Sequence, residues 1–298
     1  MNIVERALMR LSNWATQAQN SSPYDAGGTT GRRVKGWLPS SSGPRSTVNN
    51  HLSHLRNRSR DQIRNNGLIA HGINSLVSNE VGTGIVPRSR AANESMRREI
   101  DDLWKRSLAE MDADGVNNVY GLQSLAARTR RAAGEVFIRR RRRSARDGLN
   151  VPIQFQMLEP EFVPLGMNKS LPNGNEICAG IEFNRRGQRV AYHMYKQHPG
   201  DGYSGFGNDQ TIRVSARDVI HHYMPLRPGQ VRGEPDAVAS LLSARDFRDY
   251  QDAELVRKKT RAPFTGFMSR SAIDVDPNEV DPITGLPKNY VDDIPELD

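Results

Sequence analysis

The chain has 298 residues, a formal net charge of +8, and only one cysteine, Cys178. One thiol excludes an intrachain disulfide framework and a Cys-based zinc site, and no apolar run of about 18 residues is present to form a membrane-spanning helix. The basic balance points to a polyanionic partner, while 36% hydrophobic and 6% aromatic content is low for a self-sufficient monomer of this length and suits a chain completed by neighbouring copies.

Residues 1–20 read as a short amphipathic helix through Ile3, Leu8, Leu11 and Trp14. The Ser-, Gly- and Pro-rich stretch 21–48 reads as an arm or linker. Residues 49–79 read as helical, with Ile69, Ile73, Leu76 and Val77 on one face; Gly67 and Gly72 weaken that helix or permit close packing. A second helix is predicted over about 91–110, with an apolar stripe of Met96, Ile100, Leu103, Trp104 and Leu108. A third runs over about 117–133. Its last turns carry Arg128, Arg130 and Arg131, which complement the helix dipole, and Gly134 is placed to cap it.

From 135 to about 225 the pattern changes to period two. The clearest unit is a hairpin, with Ile181 and Phe183 pointing inward, a turn over 184–187, and Val190, Tyr192 and Met194 returning. A Gly-rich loop covers 198–209. Helix is predicted again over about 235–261, opening on Glu234-Pro235-Asp236, with apolar positions at Val238, Leu241, Leu242, Phe247, Leu255 and Val256. Pro263 stops it. The last stretch, 271–298, holds eight acidic residues and one lysine and reads as irregular.

Five consecutive arginines, Arg139, Arg140, Arg141, Arg142 and Arg143, follow the strand-forming Val136-Phe137-Ile138. Three readings stay open: the run faces nucleic-acid phosphates or a docking protein, it pairs with acidic residues of a neighbouring subunit, or it is solvated. A second cluster, Arg257, Lys258, Lys259 and Arg261, ends the last predicted helix. It is either close to DNA or a compensation of the helix dipole. His221 and His222 are adjacent on a strand and point to opposite faces, so they read as structural. Glu159 and Glu161 alternate onto one face near Pro160; with His221 they would make the minimal ligand set of a metal-dependent nuclease. The Gly-rich "GDGYSGFG" lacks the Gly-Lys-Ser/Thr of a phosphate-binding loop. Neither catalytic residues, a metal nor a cofactor is predicted.

Several segments, taken in order, resemble one family. They are "LRNRSRDQIRNNGLIAHGINSLVSNEVGTGI" (55–85), "GEVFIRRR" (134–141), "QMLEPEFV" (156–163), "GIEFNRRGQRVAYHMY" (180–195), "DVIHHYMPLRPGQVRGEP" (218–235) and "RDYQDAELVRKKTRAPFTGF" (248–267). This ordered set is similar to the lambda-type portal proteins of tailed bacteriophages. The resemblance implies an elongated, non-enzymatic α+β protomer in a homo-oligomeric ring, usually of about twelve subunits. Such a ring sits at a capsid vertex of the virion, is assembled in the host cytoplasm without a membrane, and passes double-stranded DNA without reading its sequence. Its implied protein partners are terminase, capsid and head-completion or tail-connector proteins.

By the same resemblance, 1–48 is an N-terminal arm, 49–115 a helical wing and 116–134 a stem helix. Residues 135–230 hold the β-rich clip, 231–262 a second stem helix and 263–298 the tunnel-loop region. Members of the family continue past the point where this chain stops, so an N-terminal part of a longer protein is expected. The alternatives are a monomeric basic nucleic-acid-binding module and the nuclease built on Glu159, Glu161 and His221.

Overall fold

The computed structural model describes residue 32, residues 35–201 and 210–261, and positions 280, 282, 283 and 285. The helix expected over 1–20, the Gly-rich loop from residue 202 onward and most of 263–298 lie outside the described residues. Among those described, six α-helices and eight strands give an α+β architecture. Helices α1 (Pro44–Asn49), α2 (Leu52–Asn65), α3 (Gly67–Val81), α4 (Glu94–Ser107) and α5 (Val119–Ala133) precede the strands. Then come β1 (Glu135–Arg142), β2 (Ile153–Leu158), β3 (Lys169–Ser170), β4 (Glu176–Cys178), β5 (Ile181–Phe183), β6 (Arg189–Tyr195), β7 (Thr211–Ser215) and β8 (Val219–Tyr223), and helix α6 (Leu241–Arg261) follows them.

The helix boundaries follow local chemistry. The segment read as linker up to residue 48 turns helical at Pro44, whose fixed φ suits a first helical position, and it buries Val48. The single helix expected over 49–79 is two helices. Asn66 takes an extended conformation (φ −124°, ψ 107°), and its side chain accepts the Leu68 amide at 3.1 Å, capping α3. Helix α5 opens on Asn118, whose side chain accepts from the Gly121 amide, and closes as expected on Gly134 in the left-handed region (φ +91°). The last helix begins six residues later than Pro235. Asp236 is held by Arg130 and Arg131, and a short 3-10 turn at Val238–Ser240 comes between.

Two antiparallel sheets form, ordered β2-β1-β8 and β3-β4-β5-β6-β7. They share one core: Phe137, Leu158 and Val219 from the first pack with Ile181, Phe183, Tyr192, Met194 and Val214 from the second. The hairpin β5–β6 turns at Asn184–Gly187 as its pattern predicts, and Cys178 packs at the edge of the core. Helices α2, α3 and α5 pack together, and α5 lies against β1. Val136, on the opposite face of β1 from Phe137, is therefore also buried. Strict alternation also fails at Glu182, which is buried among Arg213, Asn175 and His193, not turned to water.

At the junction of helices and sheets, β1 opens on a fully buried carboxylate, Glu135. Its Oε1 accepts from Arg56 Nη2 and from Arg232 Nε (2.7 Å); its Oε2 accepts from His221 Nε2 (2.8 Å) and the Gly233 amide (2.8 Å). The two arginines are satisfied further by main-chain carbonyls. Arg56 donates to Ala133, and Arg232 donates to Val163, Ala179 and Pro160. Burial opposes ionisation of Glu135, but Arg232, Arg56 and His221 override it and hold its carboxyl well below the usual range. Two glycines let the backbone come this close. A Cβ on Gly134 would lie 2.4 Å from the Glu234 carbonyl carbon, and one on Gly233 would lie 2.1 Å from the Gly134 oxygen.

Glu135→Ala leaves two buried guanidinium groups without their counter-charge. We expect a loss of about 3–5 kcal/mol, read as a lowered urea midpoint; an unchanged midpoint would show that the network is not a stabilising junction. Acid adds a second test. Burial holds His221 below its ordinary pKa, with Glu135 opposing and Arg232 and Arg189 adding to the effect. Burial likewise lowers His222, beside Arg130 and Glu80. The unfolded imidazole takes up its proton near pH ~6.5, so the folded state loses stability as pH falls below that value, before the Glu135 contribution is lost at lower pH. In His221→Gln, thermal stability should depend less on pH between about 7 and 5, the remaining slope coming from His222 and, toward pH ~5, from carboxylates held below their usual range.

Candidate nucleic-acid interface

The arginine run occupies the outer half of β1. Only Glu135–Arg139 pair with β8, whereas Phe137–Arg142 pair with β2, so beyond Arg139 the sheet narrows to a two-stranded ribbon. This ribbon is held from its far side: Phe155 on β2 bonds to the 111–113 turn through Met111 and Ala113, and the Gln154 side chain donates to the Glu110 and Asp112 carbonyls. Successive arginines point to opposite faces. On one face Arg140 donates to Asp218 Oδ1 from both Nε (3.1 Å) and Nη2 (2.7 Å), and Arg142 reaches the same oxygen at 3.4 Å. The Arg140 hydrogen bond holds the Asp218 carboxyl below its usual range. On the other face Arg139 and Arg141 are half-buried neighbours; burial and the repulsion of Arg141 lower the Arg139 pKa. Arg143 donates to Gln154 at 2.6 Å.

For two of the five arginines an acidic partner lies within the chain itself, at Asp218. One carboxylate faces five guanidinium groups, and most of the positive charge remains uncompensated among the described residues. The second cluster sits on the last turns of α6. Arg257 donates to Glu254 at 2.6 Å, while Lys258, Lys259 and Arg261 are exposed and have no acidic partner among the described residues. No hydrogen bond or ion pair joins this cluster to the β1 run among those residues. Helix α6 packs on α2 only near its start. Leu241 is buried and Asn66 Nδ2 donates to the Ala244 carbonyl, but the expected packing residues Leu242 (70% exposed), Phe247, Leu255 and Val256 (63%) face outward.

The other candidate groups resolve into structural ion pairs. His221 is buried on Glu135 and stacked between Phe137 and Tyr223, each ring centroid 4.4 Å away, while His222 faces outward; the pair does not converge. Glu159 and Glu161 do converge, but with His198 and not His221. Arg60 sits among them, bonding both oxygens of Glu161 (2.8 and 3.0 Å) and reaching Glu159 at 3.3 Å. A fixed guanidinium already supplies the cation that such a carboxylate pair would recruit. Arg130 and Arg131, read as dipole partners, grip Asp236 and Glu80 and so tie α5 to α3 and to the turn before α6. The buried Glu135 network escaped the sequence reading, because its partners stand 79 to 98 residues away.

The described residues define a basic α+β protein whose prominent chemistry is exposed positive charge. The sequence matches the family described as "Phage portal protein, lambda family" over residues 30–292. It is 29% identical over 236 residues to the "Probable portal protein" of Halomonas phage phiHAP-1, covering 75% of this chain and 44% of that protein. The chain therefore spans less than half the length of that relative. It belongs to the lambda family of phage portal proteins, structural components of the virion.

Asp218→Asn frees Arg140 and Arg142. We expect tighter binding to duplex DNA of unrelated sequences and a salt dependence steeper by about 0.9 in log–log slope for each phosphate gained. An unchanged slope, measured by fluorescence anisotropy across salt concentrations, would assign the ribbon to a protein partner or to solvent.

Proposed function

We propose that this chain acts, as part of a portal protomer, in a closed ring at one vertex of the capsid. Double-stranded DNA enters and leaves the head through that ring. The same ring is the docking site for terminase during packaging and for the head-tail connector afterwards, and the chain itself catalyses no reaction. The family match over residues 30–292 carries this reading.

Two structural observations support it. First, the exposed apolar positions of α6 leave a helix flank that further copies of the chain would cover. In this reading 49–115 form the wing, 116–134 and 231–262 the stem helices, 135–230 the clip, and 263–298 the tunnel-loop region. Second, the charge on the β1 ribbon is strong but moderated. Guanidinium groups contact phosphates without regard to sequence, and a conduit must also let the duplex slide. Asp218, lying between Arg140 and Arg142, lowers the charge that two of the five arginines present.

In phage carrying Arg140→Gln, Arg141→Gln and Arg142→Gln together, we expect purified proheads to hold normal rings while DNA packaged per head falls severalfold. Normal packaging alongside missing rings would instead assign the run to assembly. A natural protein that stays a monomer or dimer under every assembly condition, as judged by negative-stain imaging and mass measurement, would replace the portal reading with a basic nucleic-acid-binding module.

A further inference from the structure

Strands β5 and β6, the loop after β8 and the start of α1 enclose an open cleft of about 530 Å³. Arg45, Arg189 and Arg227 stand around it, with the rings of Phe183 and Tyr223 and the exposed Leu226 between them. The guanidinium carbon of Arg189 lies 5.7 Å from the Phe183 centroid and 5.5 Å from the Tyr223 centroid, and the same group donates to the Tyr223 hydroxyl at 2.6 Å. Arg45 lies 5.6 Å from the Phe183 ring, and Arg227 donates to the Ser42 carbonyl at 3.5 Å.

Ring faces, a hydroxyl and a carbonyl thus position the three cations without neutralising them. No carboxylate pairs with any of the three among the described residues. The sites already described behave differently: Arg56, Arg60, Arg130, Arg131, Arg140, Arg213 and Arg232 each meet an Asp or Glu. The rim is also stiff. Gln230 Oε1 accepts the Leu226 and Arg227 amides, Gln230 Nε2 donates to the Arg232 carbonyl, and the Tyr223 hydroxyl donates to the Gln230 carbonyl.

A preorganised trio of cations with apolar surface between them calls for an anion that also carries apolar groups. A DNA backbone presents phosphates on a broad convex surface and would leave that apolar floor uncovered. A peptide alternating acidic and aliphatic side chains fits both features. Residues 291–298 read Val-Asp-Asp-Ile-Pro-Glu-Leu-Asp, with four carboxylates, no cation, and Val291, Ile294, Pro295 and Leu297 interleaved. From Gly285, the last described position, to Val291 is six residues, a tether of about 20 Å.

We propose that this cleft is an acceptor site for an acidic peptide with interleaved apolar residues, and that its occupant is the chain's own segment 291–298. The site does not depend on ring formation. The test places a photo-crosslinking benzoylphenylalanine at Leu226 in the full chain and maps the adducts by mass spectrometry. Expected are intramolecular adducts concentrated in 291–298 that fall about fivefold or more in Asp292→Asn/Asp293→Asn/Glu296→Gln and in Arg189→Gln/Arg227→Gln, and that weaken with added salt. Circular dichroism and urea midpoints of both variants, matched to the parent chain, separate a lost contact from a folding defect. Adducts elsewhere in the chain, or adducts insensitive to the acidic variant, overturn the proposal. So do adducts that form only between isotopically distinct copies, and so does direct crosslinking of added duplex DNA that displaces the peptide adducts.

Discussion

A single carboxylate organises the junction between the helices and the sheets. Glu135 is the first residue of β1, directly after the glycine that ends α5, and it gathers Arg56 from α2, His221 from β8 and the turn at Arg232-Gly233. In a low-dielectric interior such an arrangement holds only if every charge and hydrogen-bonding group is satisfied together. Two arginines against one glutamate leave an interior excess of positive charge, which four main-chain carbonyls share. Neutral His221 completes the set by donating from Nε2, so its buried Nδ1 carries only a lone pair and has no donor among the described residues. The position of β1, and therefore of the arginine ribbon that extends from it, depends on this knot.

Arginine serves two purposes in this chain. Within the body its planar fork joins layers that little apolar surface would otherwise hold together: Arg60 ties α2 to Glu161, Arg130 and Arg131 tie α5 to Asp236 and Glu80, and Arg213 covers the buried Glu182. Burial of the aliphatic stems adds contact area in these places. On the surface the same residue is left partly or wholly without a counter-charge among the described residues, in the β1 ribbon, at the end of α6 and around the Arg45–Arg189–Arg227 cleft. A low-hydrophobicity chain thus obtains cohesion and an attraction for anions from one residue type.

Local signals read well. Gly134 marks the helix-to-strand change, Asn184 to Gly187 mark the hairpin turn, and the period-two stretches became strands, because each depends on backbone preferences that neighbouring residues set. The break at Asn66 is also marked locally, by an Asn-Gly step, but in sequence a helix-weakening glycine and a capping asparagine look alike. What could not be read is the pairing of charges across long separations. Nothing near Glu135 announces Arg232, and nothing near Arg140 announces Asp218. Alternation failed at Glu182 for the same reason, since partners from β6 and β7 make its burial tolerable. The arginine run is therefore legible as a feature, while the pairing of two of its members with the chain's own Asp218 is not.

Helix α6 has 21 residues, about 31 Å of rod, and among the described residues only its opening turns are held, through Leu241 and the Asn66–Ala244 bond. Mechanically it is a lever with its fulcrum at one end. A rotation of about 10° at the fulcrum swings the far tip by about 5 Å, and a pull on the tip reaches the α2–α3 break as torque. Small adjustments at Asn66 are thereby magnified at Lys258–Arg261, and loads applied there are delivered to the joint between two helices.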